Sequence, residues 1–429
     1  MSFPLLSPLR DAARRFLPSA ALDPLTYWGW RAKSLLAMRK LRRASSPLPP
    51  DRRYPPGVNL IGDFDEASGL GESCRILASA LKQASIPLAL VSARKNASGI
   101  TPPENLSEAI AEKPLYDTNI LHLQPPNLPL VLEKFGNEAL DHRYNIAFWL
   151  WEQEKFPDEW LPAFRFFEEF WTPSDFVSEA IRRETSRPVQ TMPYAIAPGL
   201  DREYRRADFG LPEGVFLALC AADFRGAPRR KNPQGAIEAF LRAFPSPERA
   251  QDAGLVIKLN RASRPFLKRI QKKLAGYLRI YFITDTLKRG EMNGLIQCCD
   301  AFISLHRAEG FGLVLAEAMA LGTPCIATNW SANTEFMTSE NSLLVNYAFV
   351  KTGRLWPNAQ KNARHAEPEI DHAASCLKRL ADDPALRETI SAAALLIRKT
   401  LSLEAMSAKI DARLAKITAS LPGGGGEQP

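Results

Sequence analysis

Two glutamates eight positions apart, Glu309 and Glu317, stand in a setting that ordinary surface acids lack. Glu309 precedes Gly310-Phe311-Gly312, and Glu317 is the lone polar side chain of residues 313–321, whose spacing predicts a helix that is otherwise apolar on every side. A polar group buried on such a helix without a partner costs roughly 2–7 kcal/mol, and more when it is ionised. One acid falls in the loop before the helix and the other about a turn and a half into it, so both can face the crevice beyond the preceding strand. The glycines leave the backbone open there. Carboxylates accept hydrogen bonds from hydroxyls, while the free amides opening a helix favour phosphate, so the stretch suits a polyol that carries negative charge.

Cations stand at neighbouring positions of the pattern. In an open parallel sheet, ligands bind at the carboxyl ends of the strands. A strand predicted over residues 215–221 is followed by Asp223, Arg225, Arg229, Arg230 and Lys231. Lys258 sits near the end of an otherwise apolar strand, residues 255–259. Asp285 follows residues 280–284, and His306, Arg307 and Glu309 follow residues 301–305. Asn329, Ser331 and Asn333 follow residues 324–328. Cations, two carboxylates and a helix start meeting at one edge describe a site for a nucleoside diphosphate-sugar.

The elements that must position these residues alternate strand and helix from residue 57 onward, which predicts α/β architecture with parallel sheets. The expected organisation is a basic leader with a Pro-rich linker (1–56), a first Rossmann-like domain (57–200), a second (201–395), a C-terminal helix crossing back to the first (396–420) and a tail (421–429). Helices are expected over residues 104–111, 159–170 and 331–337, and one long helix over 384–417.

Several segments together resemble the retaining nucleotide-sugar glycosyltransferases of the GT-B fold, especially glycosyltransferase family four. Residues 304–331 are similar to that family's Glu-x7-Glu signature. GVNLIGDFDEASGLGESCR (57–75) is similar to its glycine-rich loop, and YNIAFWLWEQEKFPDEW (144–160) with FWTPSDFVSEAI (170–181) to a further run. RRKNPQGAIEAF (229–240) and LVIKLN (255–260) are similar to its phosphate-binding segments. The resemblance implies two Rossmann-like domains facing across a cleft, and transfer of a sugar from a nucleotide donor to an acceptor hydroxyl with retention. It implies that Arg230 or Lys231 with Lys258 clamps the diphosphate. Glu309 accepts from the donor sugar beside the amides of Gly310, Phe311, Gly312 and Leu313, and His306 contacts that sugar. Glu317 accepts from the ribose, Ile283 and Thr284 flank the base, and the loop of Gly69 and Gly71 lies against the donor. His122 and Glu152 are the acceptor-side residues. The position where the family carries an arginine reads Asp223-Phe224 here, so the cation duty falls on Arg229 to Lys231. The segment 364–368 lacks an expected tryptophan.

Asp63-Phe64-Asp65 has the form of a DxD metal motif, but its glycine-loop context argues against a metal, and neither metal nor cofactor is expected. GLGESC only approximates GxGxxG, which weakens a nicotinamide oxidoreductase. The alternatives within the fold are a sugar phosphorylase and a non-catalytic homologue that docks on membranes.

The chain has 429 residues and a net charge of +8. Residues 1–53 hold eleven Lys or Arg against three Asp, so the basicity belongs to the leader and the remainder is balanced. Leu25, Trp28, Ala32, Leu35 and Leu36 recur there at helical spacing among basic residues, the pattern of an interfacial helix drawn to an anionic membrane surface. With no nucleic-acid motif, nucleic acid is excluded as a partner. The partners expected are a nucleotide-sugar and a glycan or lipid-linked acceptor, in bacterial surface glycan, lipopolysaccharide or exopolysaccharide synthesis. The six cysteines lack metal spacing and read as free thiols, there is no spanning segment, and the expected location is cytoplasmic, peripheral at the inner face of the membrane.

Overall fold

The computed structural model describes residues 19–51, 53–66, 68–93, 104–224, 228–246, 252–352 and 362–421. Arg225, the leader before residue 19 and the Gly-rich tail lie outside them. The chain divides into two compact units, one of Lys33–Ala197 joined by Ile397 onward, the other of Pro198–Leu396 joined by the residues up to Ala32.

The first unit carries a seven-stranded parallel sheet. Its strands are β1 (Val58–Gly62), β2 (Leu88–Ser92), β3 (Ile110–Ala111), β4 (Thr118–His122), β5 (Tyr144–Phe148), β6 (Glu169–Thr172) and β7 (Val189–Thr191), in the order β3-β2-β1-β4-β5-β6-β7. The reversal on either side of β1 is the doubly wound arrangement, and the near-continuous apolar strands follow from burial of both faces. The helix Leu403–Ser420 packs against Gly69–Gln83 and fixes itself through Arg413, whose guanidinium grips Glu169 at 2.8 and 2.5 Å. Glu169 is fully buried and also accepts from Trp171 Nε1 (2.8 Å) and Tyr144 Oη (3.0 Å).

The second unit repeats the plan with β8 (Phe216–Asp223), β9 (Ala253–Asn260), β10 (Ile280–Ile283), β11 (Ala301–Ser304), β12 (Cys325–Thr328) and β13 (Leu343–Val345), ordered β10-β9-β8-β11-β12-β13 and parallel throughout. An antiparallel hairpin of β14 (Tyr347–Lys351) and β15 (Arg364–Pro368) follows.

Four elements differ from expectation, each for a local reason. Residues 159–170 are not an α-helix: Pro162 limits Asp158–Phe166 to 3-10 turns, and the aromatic run beyond becomes β6. Residues 104–111 divide into a single turn, Glu104–Ser107, and β3. The expected helix over 331–337 is a 3-10 turn, Ala332–Glu335, because the Asn333 side chain is drawn back to Thr328 O (3.0 Å). The long final helix is three, Pro384–Ala394, Ile397–Thr400 and Leu403–Ser420, the last opened by Ser402 capping Ala405 N.

Ahead of the first sheet runs a helix, Ser19–Arg43. Its final turns bury Ala37, Met38 and Leu41 in the first unit's aromatic core, and Trp160 Nε1 donates to Ser34 Oγ at 2.7 Å. The opposite face leaves Leu35, Leu36, Arg39, Lys40, Arg42 and Arg43 exposed. The six cysteines are free.

Candidate functional site

The site is built on the loop that leaves β11 and enters the helix Leu313–Ala320. The loop turns at Gly312, whose φ of 91° is a left-handed conformation natural to glycine, and no side chain caps the helix behind it. The amides opening the helix are therefore not taken up by a capping side chain. Gly310, Phe311 and Gly312 are buried and Leu313 is half-buried.

Glu309, 5% exposed, receives two cations, Lys231 Nζ at 2.6 Å and Arg230 Nη1 at 2.9 Å. Burial opposes its ionisation, but the charges of Arg230 and Lys231 outweigh that and hold its pKa at about 2. The local chain explains why both cations reach it. Pro228–Lys231 forms a short turn ending at Asn232, which adopts the left-handed conformation, caps the next helix by accepting from Gly235 N (3.2 Å) and donates to Leu305 O (2.9 Å). Arg230 also donates to Ala308 O (2.9 Å), and Arg307 N to Arg230 O (2.8 Å), so turn and loop are laced by main chain as well as charge. Arg229, in contrast, is exposed.

His306 is fully buried. Nε2 faces two carbonyl oxygens, Asn333 Oδ1 (3.0 Å) and Trp330 O (3.3 Å), so it carries the proton, while Nδ1 lies 3.2 Å from Ser304 Oγ. Burial lowers its pKa and keeps it neutral. Both nitrogens are thus engaged within the protein, and the ring supports the 329–333 loop, from which Ser331 Oγ accepts from Glu309 N (2.8 Å).

Lys258 and Glu317 are each paired on other parts of the edge. Lys258 is 2% exposed and donates to Asp285 O at 2.8 Å and to Asn260 Oδ1. Burial lowers its pKa. Its strand β9 lies two places from β11, roughly 10 Å at ordinary strand spacing. Glu317, 2% exposed, pairs with Arg289 at the start of the helix Arg289–Gln297. The lone acid announces that it needs a cation, but nothing in residue spacing singles out Arg289. Ile283 is half-buried at the end of β10 and Thr284 is exposed beyond it.

In the first unit, Gly69 is exposed and Gly71 is buried. A Cβ on Gly71 would lie 2.2 Å from Glu66 O, so close backbone approach requires glycine there. Asp63 and Asp65 are buried, Asp65 accepting from Ser92 Oγ (3.1 Å). His122 is fully buried at the end of β4. Its ring stacks on Phe148 at 4.9 Å, Nε2 meets Ser73 Oγ at 3.2 Å, and Nδ1 has no hydrogen-bond partner. Burial brings its pKa down to about 4. Glu152 is half-buried in the turn after β5, beside an aromatic core in which Trp149 packs on Phe156, Phe164, Phe167 and Phe170.

Sequence reading alone misses one contact set. Arg307 forms a two-pronged ion pair with Glu367 of β15, both contacts at 2.6 Å, and donates to Arg229 O at 2.6 Å.

Residues 224–361 match the family model described as "Glycosyl transferases group 1". No curated protein matches. Among solved structures, the chain is similar to Anabaena HepE in complex with UDP and glucose (15% identity, 84% of this chain and 100% of that chain, TM-score 0.63). It is also similar to the sucrose-phosphate synthase of Thermosynechococcus elongatus (16% identity, 86% and 100%, TM-score 0.62). A third likeness is to the structure of "Trehalose-6-phosphate from E. coli bound with UDP-2-fluoro glucose" (11% identity, 83% and 98%, TM-score 0.57). The chain therefore carries a group 1 glycosyl transferase domain within a GT-B fold, and is a glycosyltransferase.

Proposed function

We propose that the enzyme moves a sugar from a nucleoside diphosphate-sugar to an acceptor hydroxyl with retention at the anomeric carbon, in the synthesis of a surface glycan or polysaccharide. The observation that carries this reading is the buried Glu309 with Arg230 and Lys231 gathered on it. A carboxylate with a pKa of about 2 does not act as a general acid at neutral pH, so its role is to accept hydrogen bonds from sugar hydroxyls. Arg230 and Lys231 turn to the diphosphate when the donor enters, each contact contributing roughly 1.5–3 kcal/mol and strengthening as the leaving group gains charge. The sugar–phosphate bond breaks, the acceptor oxygen joins the same face, and the acceptor proton passes to the departing phosphate. Lys258 completes the clamp from β9, and Glu317 takes the ribose beside Arg289. HepE with UDP and glucose supports a uridine donor.

No described helix is long and apolar enough to cross a membrane. The exposed Leu35 and Leu36, flanked by Arg39, Arg42 and Arg43, support a reading in which the enzyme docks reversibly on an anionic bilayer at the inner face of the membrane and meets a lipid-linked or glycan acceptor there.

The test is transfer from a panel of UDP-, GDP-, ADP- and dTDP-sugars by wild type and Glu309→Ala. Activity with one donor that is lost in the variant, at unchanged melting temperature, supports the reading. Equal turnover in both removes the site assignment.

A further inference from the structure

The β14–β15 hairpin follows the last strand of the second sheet and carries none of the residues so far assigned to the donor. Its second strand nevertheless touches the loop that does. Glu367 holds Arg307 through two parallel contacts of 2.6 Å, and His365 Nε2 lies 3.4 Å from the same carboxylate. The Arg307 guanidinium spans onward to Arg229 O, and its main-chain N–H reaches Arg230 O at 2.8 Å. Ala366 N in turn donates to Arg307 O at 3.2 Å, so β15 runs alongside the loop. Three separate segments, the hairpin, the loop after β11 and the 229–231 turn, thus converge on one arginine.

Arg307 and Glu367 sit beside the 229–231 turn. They line a cavity of about 410 Å3 together with Asn232, Glu238, Arg269, Ile270, Lys273 and Ile370. The contacts of Arg307 run to Glu367 and to the main chain of the 229–231 turn. Holding the turn matters because Arg230 and Lys231 must meet Glu309 in the free enzyme and a diphosphate in the complex, and misplacement of about 1 Å is enough to cost orders of magnitude in rate.

We infer that Glu367 is a positioning residue for donor binding: through Arg307 it fixes the 229–231 turn and so sets where Arg230 and Lys231 present their charges. This rests on the proposed reading of those two cations as the diphosphate clamp. It gives the 364–368 segment a role that its lack of the expected tryptophan left open. The carboxylate stays ionised, with a pKa of about 2: burial opposes this, and the hydrogen bonds and charges of His365 and Arg307 overcome it.

The experiment is a double-mutant cycle in the full-length enzyme, using Glu367→Gln, Arg307→Met and the pair, with Glu367→Asp as the conservative variant and Lys231→Ala as control. Calorimetry measures the dissociation constant of the nucleoside diphosphate that binds wild type best among UDP, GDP, ADP and dTDP. Donor and acceptor KM and melting temperature are measured in parallel. The expected result is a tenfold or greater weakening in Glu367→Gln and in Arg307→Met, no further weakening in the pair, and partial recovery in Glu367→Asp. Donor KM rises while acceptor KM stays within twofold. If Glu367→Gln lowers only the melting temperature, or the two single effects add, the inference fails. Should Lys231→Ala also bind the diphosphate normally, the donor-site reading falls with it; loss of binding in Lys231→Ala alone leaves that reading standing.

Discussion

Glu309 is held by two cations in a buried place, and its chemistry follows from that. Its pKa in the folded protein, about 2, lies below the ordinary value of 4.5, so its pairing stabilises the fold fully above pH 4.5 and that contribution is lost as the pH falls toward 2. Glu309→Gln is therefore expected to reduce transfer at least a hundredfold and to flatten the loss of unfolding free energy between pH 4.5 and 3. Denaturant titrations across that range check it, and an acid slope identical to wild type contradicts it. The glutamate pair was legible in the sequence because acids beside glycines and on an apolar helix are physically costly. Their partners were not. Arg289 and Glu367 lie 28 and 60 positions from the residues they bind, and charge alone does not say which distant side chain closes a pair. His306 was legible as a polar residue at a strand end, whereas its engagement of both ring nitrogens depends on Trp330 and Asn333 from the next loop.

At the scale of elements, alternation of apolar runs and helical spacing gave the two parallel sheets, since a buried parallel strand needs little beyond a continuous apolar run. β6 hid in an aromatic stretch that also fits a helix, and the hairpin hid because β15, Arg-His-Ala-Glu-Pro, has no apolar run although His365, Ala366 and Pro368 are buried, while β14 leaves apolar residues exposed. The helix Leu403–Ser420 is pinned by Arg413 on a carboxylate with no exposure. Removing one partner of such a pair strands the other charge, so Arg413→Ala should destabilise the first unit by ~3–5 kcal/mol in chemical unfolding. A change under about 1 kcal/mol would show that Glu169 is carried by its tryptophan and tyrosine bonds instead. Gly71→Ala tests the loop before Gly69–Gln83 in the same way. With backbone oxygens 2.2 and 2.9 Å from the new methyl, a loss of roughly 1–3 kcal/mol is expected, and a neutral outcome would mean the loop yields freely.

At the scale of the whole molecule, the leader helix presents two unlike faces. One face of Ser19–Arg43 carries core residues, Ala37, Met38 and Leu41, and the other carries exposed leucines among arginines. Deleting the leader would open the aromatic core, so substitutions on the exposed face are the informative ones. Leu35→Ser with Leu36→Ser, and separately Arg39, Arg42 and Arg43→Glu, should each reduce sedimentation with phosphatidylglycerol vesicles at least fivefold and leave the melting temperature within about 2 °C. Sedimentation equal to wild type in both sets would remove the membrane reading.

In the second unit, Arg230 and Lys231 of the 229–231 turn meet the acid at 309, and on this cluster the proposed donor site rests. Calorimetric titration of wild type, Arg230→Ala and Lys231→Ala with UDP, GDP, ADP and dTDP tests it most directly. The predicted result is one nucleoside diphosphate bound well by wild type and at least tenfold more weakly by each variant, at unchanged melting temperature. Binding of equal strength in all three proteins would contradict it.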